Sequence, residues 1–291
     1  MFDTKSFLNE FSEISDNELI ERLHRLYPTV DKDTRIKFLI LLNKLGDNSH
    51  YDTIENYFIS DKNAEVRIEA AKVLAFNYER TQAVKPLIWV IKNEENLDVK
   101  FTALRLLVAL SCKEKFKGQI IDTLKQLLSN KRAKMKMEAI QSLSILNETS
   151  ACKELISLLT TDKNLVKLRA IQALGELKCI RAVPFLVKNL GKESQDLWHL
   201  SFNALKKILG NELEELLLNR LQRLEEKKPN SEDVLPLKKG IIKCLGEIGN
   251  KNHLQSLISL LESDFMSLRK ETKSALEKID PQWRSHKSIS S

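Results

Sequence analysis

Apolar residues recur along the chain at the spacing of an amphipathic helix, and the same helix is repeated. The stretch VKLRAIQALGEL, which begins at Val166, has apolar residues at positions 0, 4, 8 and 11. These positions lie on one face of a helix with about 3.6 residues per turn. Similar stretches begin at Val66, Val99 and Leu268. The pattern predicts an all-α protein built on a repeated helix.

An internal alignment extends the repeat to eight copies at intervals of 31 to 40 residues. The residues at position zero are Thr34, Val66, Val99, Met135, Val166, Leu197, Leu237 and Leu268. The residues at position 8 are Leu42, Leu74, Leu107, Leu143, Leu174, Leu205, Leu245 and Leu276, so this column is leucine without exception. Further apolar helices, such as CKELISLL from Cys152, lie between the copies. The predicted unit is therefore a pair of helices.

The repeat resembles HEAT repeats, in particular the short bacterial kind named after phycobilisome lyases, over about residues 30–280. The motifs that carry the resemblance are DKNAEVRIEAAKVL from Asp61 and DKNLVKLRAIQALGEL from Asp162. The resemblance implies a right-handed α-solenoid of about eight to nine stacked antiparallel helix pairs. Stacked pairs bury a continuous core and expose an extended surface, and proteins of this family mostly bind other molecules.

The ends of the chain differ from the repeats. We expect N-terminal capping helices over residues 1–30, in which Phe2, Phe7, Phe11 and Ile14 close the core. The solenoid is expected over residues 31–282, with second helices starting near 34, 66, 99, 135, 166, 197, 237 and 268, as one continuous domain. Trp283 is expected to fold over the last pair, and residues 283–291 to form a flexible tail.

Composition excludes several classes of protein. The longest apolar run, Phe38 to Leu42, has five residues, so no membrane span is predicted. Asp3, Glu10 and Glu13 interrupt the N-terminal segment where a signal peptide would be apolar, which predicts a cytoplasmic location. The four cysteines show no CxxC spacing and are expected to be reduced thiols at helix interfaces: Cys112, Cys152, Cys179 and Cys244.

Charged residues form a second periodic pattern. Position 1 is basic in seven copies, at Arg35, Arg67, Lys100, Lys136, Lys167, Lys238 and Arg269. An acidic residue precedes position zero by one to five residues in seven copies. We interpret this pattern as a row of surface ion pairs that fixes how the pairs stack.

The row is interrupted first in the segment NKRAK, before Met135. Its basic residues have no acidic neighbour in the segment: Lys131, Arg132, Lys134 and the adjoining Lys136. The segment from Lys113 to Lys136 contains eight basic and two acidic residues. Its net charge is therefore +6, in a chain whose net charge is +7. This predicts a docking site for an anionic partner, and the alternative is a solvated face that aids solubility.

The second interruption is at Trp198, which replaces the base. The helix that follows, from Asn211, is about two turns longer than its counterparts. Trp198, with its neighbour His199, either packs under the longer helix or anchors a partner. The sequence favours packing, because Leu197, Leu200 and Phe202 already make this helix unusually apolar.

The sequence contains no recognisable catalytic constellation. The five histidines lack metal-ligand spacing, and no Gly-rich phosphate loop is present. We therefore expect no catalytic residue, metal or cofactor, no small-molecule substrate, and a non-catalytic scaffold for a protein partner with an acidic surface. One alternative is a solenoid that binds nucleic acid or repairs DNA through Lys113 to Lys136, similar to alkylpurine glycosylases, for which Trp198, Asp196 and Arg169 would have to converge. A minor alternative is a subunit similar to bilin lyases.

Overall fold

The structure is a computed structural model that describes residues 16–45, 50–77, 82–112, 114–161, 164–228 and 231–284. Every regular element in these ranges is an α-helix or a short 3-10 helix, so the predicted all-α class is confirmed. The apolar residues predicted to cap the N-terminus, from Phe2 to Ile14, lie outside the described residues, as does the tail after Arg284.

The chain divides into two compact units between Leu127 and Leu128, and each unit consists of sequential helix pairs. The helices of the first unit are α1 (Asp16–Leu26), α2 (Lys32–Leu45), α3 (Tyr51–Ser60), α4 (Ala64–Asn77), α5 (Val84–Asn93), α6 (Leu97–Ala109) and α7 (Glu114–Leu127). Those of the second unit are α8 (Ala133–Ile145), α9 (Cys152–Thr161), α10 (Asn164–Glu176), α11 (Val183–Asn189), α12 (Gln195–Leu209), α13 (Glu212–Lys227), α14 (Leu235–Ile248), α15 (Leu254–Ile258) and α16 (Met266–Ile279).

The even-numbered helices are the repeated helix of the sequence. Each begins two residues before its position-zero residue, from Lys32 before Thr34 to Met266 before Leu268. Every leucine of the position-8 column is at most 3 % exposed, because this column faces the neighbouring helices. The helix-pair repeat predicted from the periodicity is therefore confirmed.

Two of the basic residues at position 1, Arg35 and Arg67, bond forward along the chain as well as to their own loop. Arg35 pairs with Asp61 of the next helix pair, with Nε 3.1 Å from Oδ2, and donates to the carbonyl oxygen of Val30. Arg67 repeats this arrangement: it donates to both carboxylate oxygens of Glu94, at 2.8 and 3.1 Å, and to the carbonyl of Asp61. The Arg35–Asp61 pair is buried, with side chains 5 % and 4 % exposed, where the sequence predicted a surface pair. These two pairs join successive repeats of the first unit.

Glu94 gives this arrangement a testable dependence on pH. Burial opposes ionisation of Glu94, but hydrogen bonds from the Asn96 N–H and from Arg67 outweigh it and hold the pKa below its ordinary value. The ionised form is therefore the one that the fold stabilises. The contribution is complete above the ordinary pKa of 4.5 and is lost as pH falls through the lowered pKa.

We expect Glu94→Gln to reduce the free energy of unfolding by about 1 kcal/mol at neutral pH. The difference from wild type should shrink in acid, because the wild-type carboxyl is then protonated as well. Urea unfolding at about pH 7 and about pH 3 measures both values, with Glu193→Gln, an exposed site, as the control. A difference that is equal at both pH values would contradict the role of the Glu94 charge.

The prediction of reduced thiols is wrong for two of the four cysteines. Cys152 and Cys179 form a disulfide, with their Cα atoms 5.9 Å apart. Cys152 begins α9 and Cys179 follows α10, so the antiparallel pairing of these helices brings the two ends together. Cys244 is a free thiol on α14, buried in the core, and burial raises its pKa. The side chain of Cys112 lies outside the described part of the chain.

The last helix pair is covered as the sequence predicted. Trp283 follows α16 and is 3 % exposed. The backbone N–H of Trp283 donates to the carbonyl of Asp280, and the Asp280 carboxylate pairs with Lys251 at 3.2 Å. This turn directly follows α16, and it places the indole where it is buried.

Candidate site in the second unit

The regular repeat is interrupted between α12 and α14. Position zero is at most 3 % exposed in six copies, but Leu197 and Leu237 are only partly buried. The helix between them, α13, has 16 residues, whereas its counterpart α11 has seven. Gly210, with a φ of 54°, ends α12 and turns the chain into α13. The repeat here is longer, and its helices pack differently.

Contacts with the turn after α11 place α14. A Cβ atom on Gly240 would overlap the carbonyl oxygen of Leu190, so only glycine fits this approach. The indole Nε1 of Trp198 donates to the carbonyl of Gly240 at 3.1 Å. Trp198 and Gly240 therefore fix α14 against α12 and against the turn after α11, at the point where the regular packing changes.

A groove opens between α11 and α13, and we call it the α11–α13 groove. Its volume is about 1010 Å³. The apolar residues that line it are Val183, Pro184, Val187, Leu209, Leu216, Val234, Pro236 and Leu237, and the polar and charged ones are Lys188, Lys192, Glu212, Glu215, Asn219, Arg220, Arg223 and Asp233, with Gly191 between the helices. The lining is an apolar floor with charged side chains around it, as binding sites for protein segments have.

The contacts of α14 also establish the direction of the two walls. Gly191, after α11, lies close to Leu237, because a Cβ on Gly191 would be 3.0 Å from the Leu237 Cα. The next residue, Lys238, donates to the carbonyl of Lys228, after α13, at 3.0 Å. The C-terminal ends of α11 and α13 therefore lie at the same end of the groove.

The groove carries opposite charges at its two ends. We call the end near the start of α14 the cationic end, and its charged residues are Lys188, Lys192, Arg220 and Arg223, with Asp233 as the one carboxylate. The other, acidic end has Glu212 and Glu215 in the first turn of α13. All of these side chains are exposed, and within the described ranges the four cations make no ion pair. The cationic end is therefore available to an anionic group of a partner.

The basic residues predicted as a docking site lie elsewhere in the second unit. Lys131, Arg132 and Lys134 are exposed at the start of α8, and Lys136 is partly buried. Arg132 occupies the N-cap position of α8, and no acidic residue lies in the first turn of that helix. The structure keeps these residues together, but none of them lines the α11–α13 groove.

Trp198 and His199 occupy different environments. Trp198 is 4 % exposed; its ring lies against Phe202, with a centroid distance of 5.3 Å, and under Lys243, whose Nζ is 4.0 Å from the ring centroid. His199 is exposed and meets the indole edge-on at 4.9 Å. The indole is therefore packed, and it does not offer a face to a partner.

The cations of the groove were not predicted from the sequence. They are separated in the chain, so no run of basic residues marks them, whereas the segment from Lys131 to Lys136 is contiguous. One signal was present on α13: Leu213, Leu217, Leu221 and Leu224 form the buried stripe, and the groove residues form a second stripe at Glu212, Glu215, Leu216, Asn219, Arg220 and Arg223. A helix with two such faces contacts its own core on one side and is free for a partner on the other.

Two further features are absent from the described ranges. No group of three or more His, Cys, Asp or Glu side chains is placed to hold a metal ion. No helix in those ranges combines the length and the hydropathy that crossing a bilayer requires.

Comparisons with known proteins agree with the repeat. A family model of HEAT repeats matches residues 84–175 and 121–206. The crystal structure of YibA of Escherichia coli is 20 % identical in sequence, with a TM-score of 0.50, and the match covers 96 % of this chain and 97 % of that chain. At such low identity the likeness concerns the fold alone.

Two further structures are similar over most of their length. The complex of CpcE and CpcF of phycocyanin lyase from Nostoc sp. PCC7120 is 20 % identical, covering 79 % of this chain and 94 % of that chain, with a TM-score of 0.44. Human deoxyhypusine hydroxylase in complex with glycerol is 18 % identical, covering 91 % and 96 %, with a TM-score of 0.37. No curated protein matches the chain. The repeated helix pairs and the buried leucine column, together with the family model that matches residues 84–206, show that this chain contains HEAT repeats.

Proposed function

We propose that this protein is a non-catalytic interaction scaffold that binds a protein partner in the α11–α13 groove. The observation that carries the proposal is the groove itself: a volume of about 1010 Å³ with an apolar floor and exposed charges at both ends. HEAT repeats generally mediate protein interactions, which agrees with this use of the surface. An apolar floor supplies affinity, and the charges around it supply orientation and selectivity.

Reversing the charge of the cationic end tests the proposal. We expect the double variant Arg220→Glu, Arg223→Glu to weaken partner binding at least about tenfold, because these exposed guanidinium groups would lose their anionic contacts. The partner would be isolated from the native host with the wild-type protein, purified, and titrated against both proteins by calorimetry. Circular dichroism checks that the variant is folded.

The double variant Lys131→Glu, Lys134→Glu is a matched control, since it makes the same change of charge outside the groove. It should bind the partner as the wild type does. Equal affinity of the wild type and the groove variant would overturn the proposed docking site.

The second candidate function is nucleic-acid binding through the segment before α8. It is favoured by one observation, the exposure of Lys131, Arg132 and Lys134 at a helix start that has no acidic residue. The same control variant tests it, because binding to mixed-sequence DNA would weaken and depend less steeply on salt. The buried indole of Trp198 gives no support to a glycosylase-like use, in which an aromatic face stacks on a base.

The cytoplasmic location expected from the sequence stays a prediction. The disulfide between Cys152 and Cys179 bears on it, because disulfides persist in oxidising compartments and are rare in the cytosol. Rapid alkylation of freshly lysed native cells decides between the cytoplasm and an oxidising compartment. Alkylated thiols at Cys152 and Cys179 would support the cytoplasm, and an intact disulfide between them would contradict it.

A further inference from the structure

We propose that the α11–α13 groove takes an α-helix of the partner, two to three turns long, which runs antiparallel to α11 and α13 and carries acidic residues in its first turn. This inference rests on the proposed function and adds the shape, the charge and the direction of the partner segment.

The size of the groove fits a short helix. The groove residues of α13 run from Glu212 to Arg223, which at about 1.5 Å per residue is about 16 Å or three turns, and α11 is about two turns long. The groove lies between two neighbouring first helices of successive pairs, α11 and α13. A partner helix would therefore fill a gap in a layer that already consists of helices.

The walls of the groove favour a helix over an extended peptide. Both walls are helices, whose backbone N–H and C=O groups bond within the helix, so they offer no edge to which a β-strand could add. An α-helix satisfies its own backbone groups and can bury an apolar face without leaving polar groups unpaired. The apolar lining matches such a face, with Val183 and Val187 one turn apart on α11 and Leu216 opposite on α13.

The charges of the groove define the direction of the helix. Four cations and one carboxylate lie at the cationic end, and Glu212 and Glu215 lie at the other. A helix is itself stabilised by acidic residues in its first turn and basic residues in its last turn, because they complement its dipole. The helix that satisfies both conditions has its acidic N-terminus at the cationic end. That end is the C-terminal end of α11 and α13, so the bound helix runs antiparallel to both.

Two synthetic peptides of identical composition test the proposal. Each is an acetylated and amidated amphipathic helix of about four turns with apolar residues at i, i+3, i+4 and i+7. One has glutamates in the first turn and lysines in the last, and the other has the two turns exchanged. We expect the glutamate-first peptide to bind on the order of tenfold more tightly in fluorescence anisotropy at low salt.

The groove variant Arg220→Glu, Arg223→Glu should remove or reverse this preference, and Lys131→Glu, Lys134→Glu should leave it unchanged. Equal binding of the two peptides, or a preference that the groove variant keeps, would overturn the proposal. If neither peptide binds while the native partner still requires Arg220 and Arg223, the proposed helical shape of the partner segment is wrong, and the proposed docking site is supported. If the native partner binds both variants as tightly as it binds the wild type, the proposed function is overturned as well.

Discussion

Replacing Trp198 with alanine is expected to reduce the free energy of unfolding of the second unit by about 3–5 kcal/mol, the range for a buried aromatic residue. The indole is 4 % exposed and packs against Phe202. Its Nε1 donates to the Gly240 carbonyl at 3.1 Å, so the substitution leaves a cavity and also removes a buried hydrogen bond between α12 and α14. The loss falls where α12 and α14 are joined.

Two further substitutions separate the contributions. Trp198→Phe keeps most of the apolar contact but not the hydrogen bond, and we expect a smaller loss. His199→Ala changes the exposed neighbour on the same helix and should change stability little. Urea unfolding followed by circular dichroism measures all three. If Trp198→Ala and His199→Ala had equal, small effects, the indole would not hold the two helices together.

Replacing Leu174 with alanine is expected to reduce the free energy of unfolding by about 2–5 kcal/mol. Leu174 is 0 % exposed on α10, and this helix contacts both α8 and α12. The contact is close, because a Cβ atom on the adjacent Gly175 would lie 2.8 Å from the Cα of Ala204. So tight an interface cannot collapse easily around the missing side chain, and the cavity remains.

Gln172 provides the matched control on the same helix. Its side chain is exposed, two residues before Leu174 on the opposite face, and Gln172→Ala should change the unfolding free energy by less than about 0.5 kcal/mol. The same urea titration serves for both variants. Equal losses at the two positions would show that the alignment assigns the wrong residues to the core.

The repeated helices were predictable because their signal is local. Burial of one face imposes the 3.6-residue period on the sequence, and the position-8 leucines, such as Leu143 and Leu174, follow directly from it. The irregular repeat was also visible, as the interval of 40 residues between Leu197 and Leu237. Trp198 marked the same irregular repeat, and the sequence favoured a packed indole over one that anchors a partner. The indole is buried, as this alternative predicted.

What the sequence did not reveal depends on distances between elements. The close approach of Gly240 to Leu190 places α14 beside the turn after α11, and no local pattern encodes which turn a glycine will meet. Arg35 and Arg67 at position 1 bond to acids of the next pair, Asp61 and Glu94, and a count of neighbouring charges cannot assign these partners. The cysteines of the disulfide are 27 residues apart, and only the antiparallel pairing of α9 and α10 brings them together.

The disulfide has a practical consequence for mapping this protein with proteases. Cys152 and Cys179 lie on either side of the connection between α9 and α10, so a single cut in that connection leaves both fragments covalently linked. Such a nicked chain would migrate near full length on a denaturing gel without reductant and separate into two bands once a thiol is added. An apparently resistant band on a non-reducing gel is therefore not evidence that this part of the chain escaped digestion.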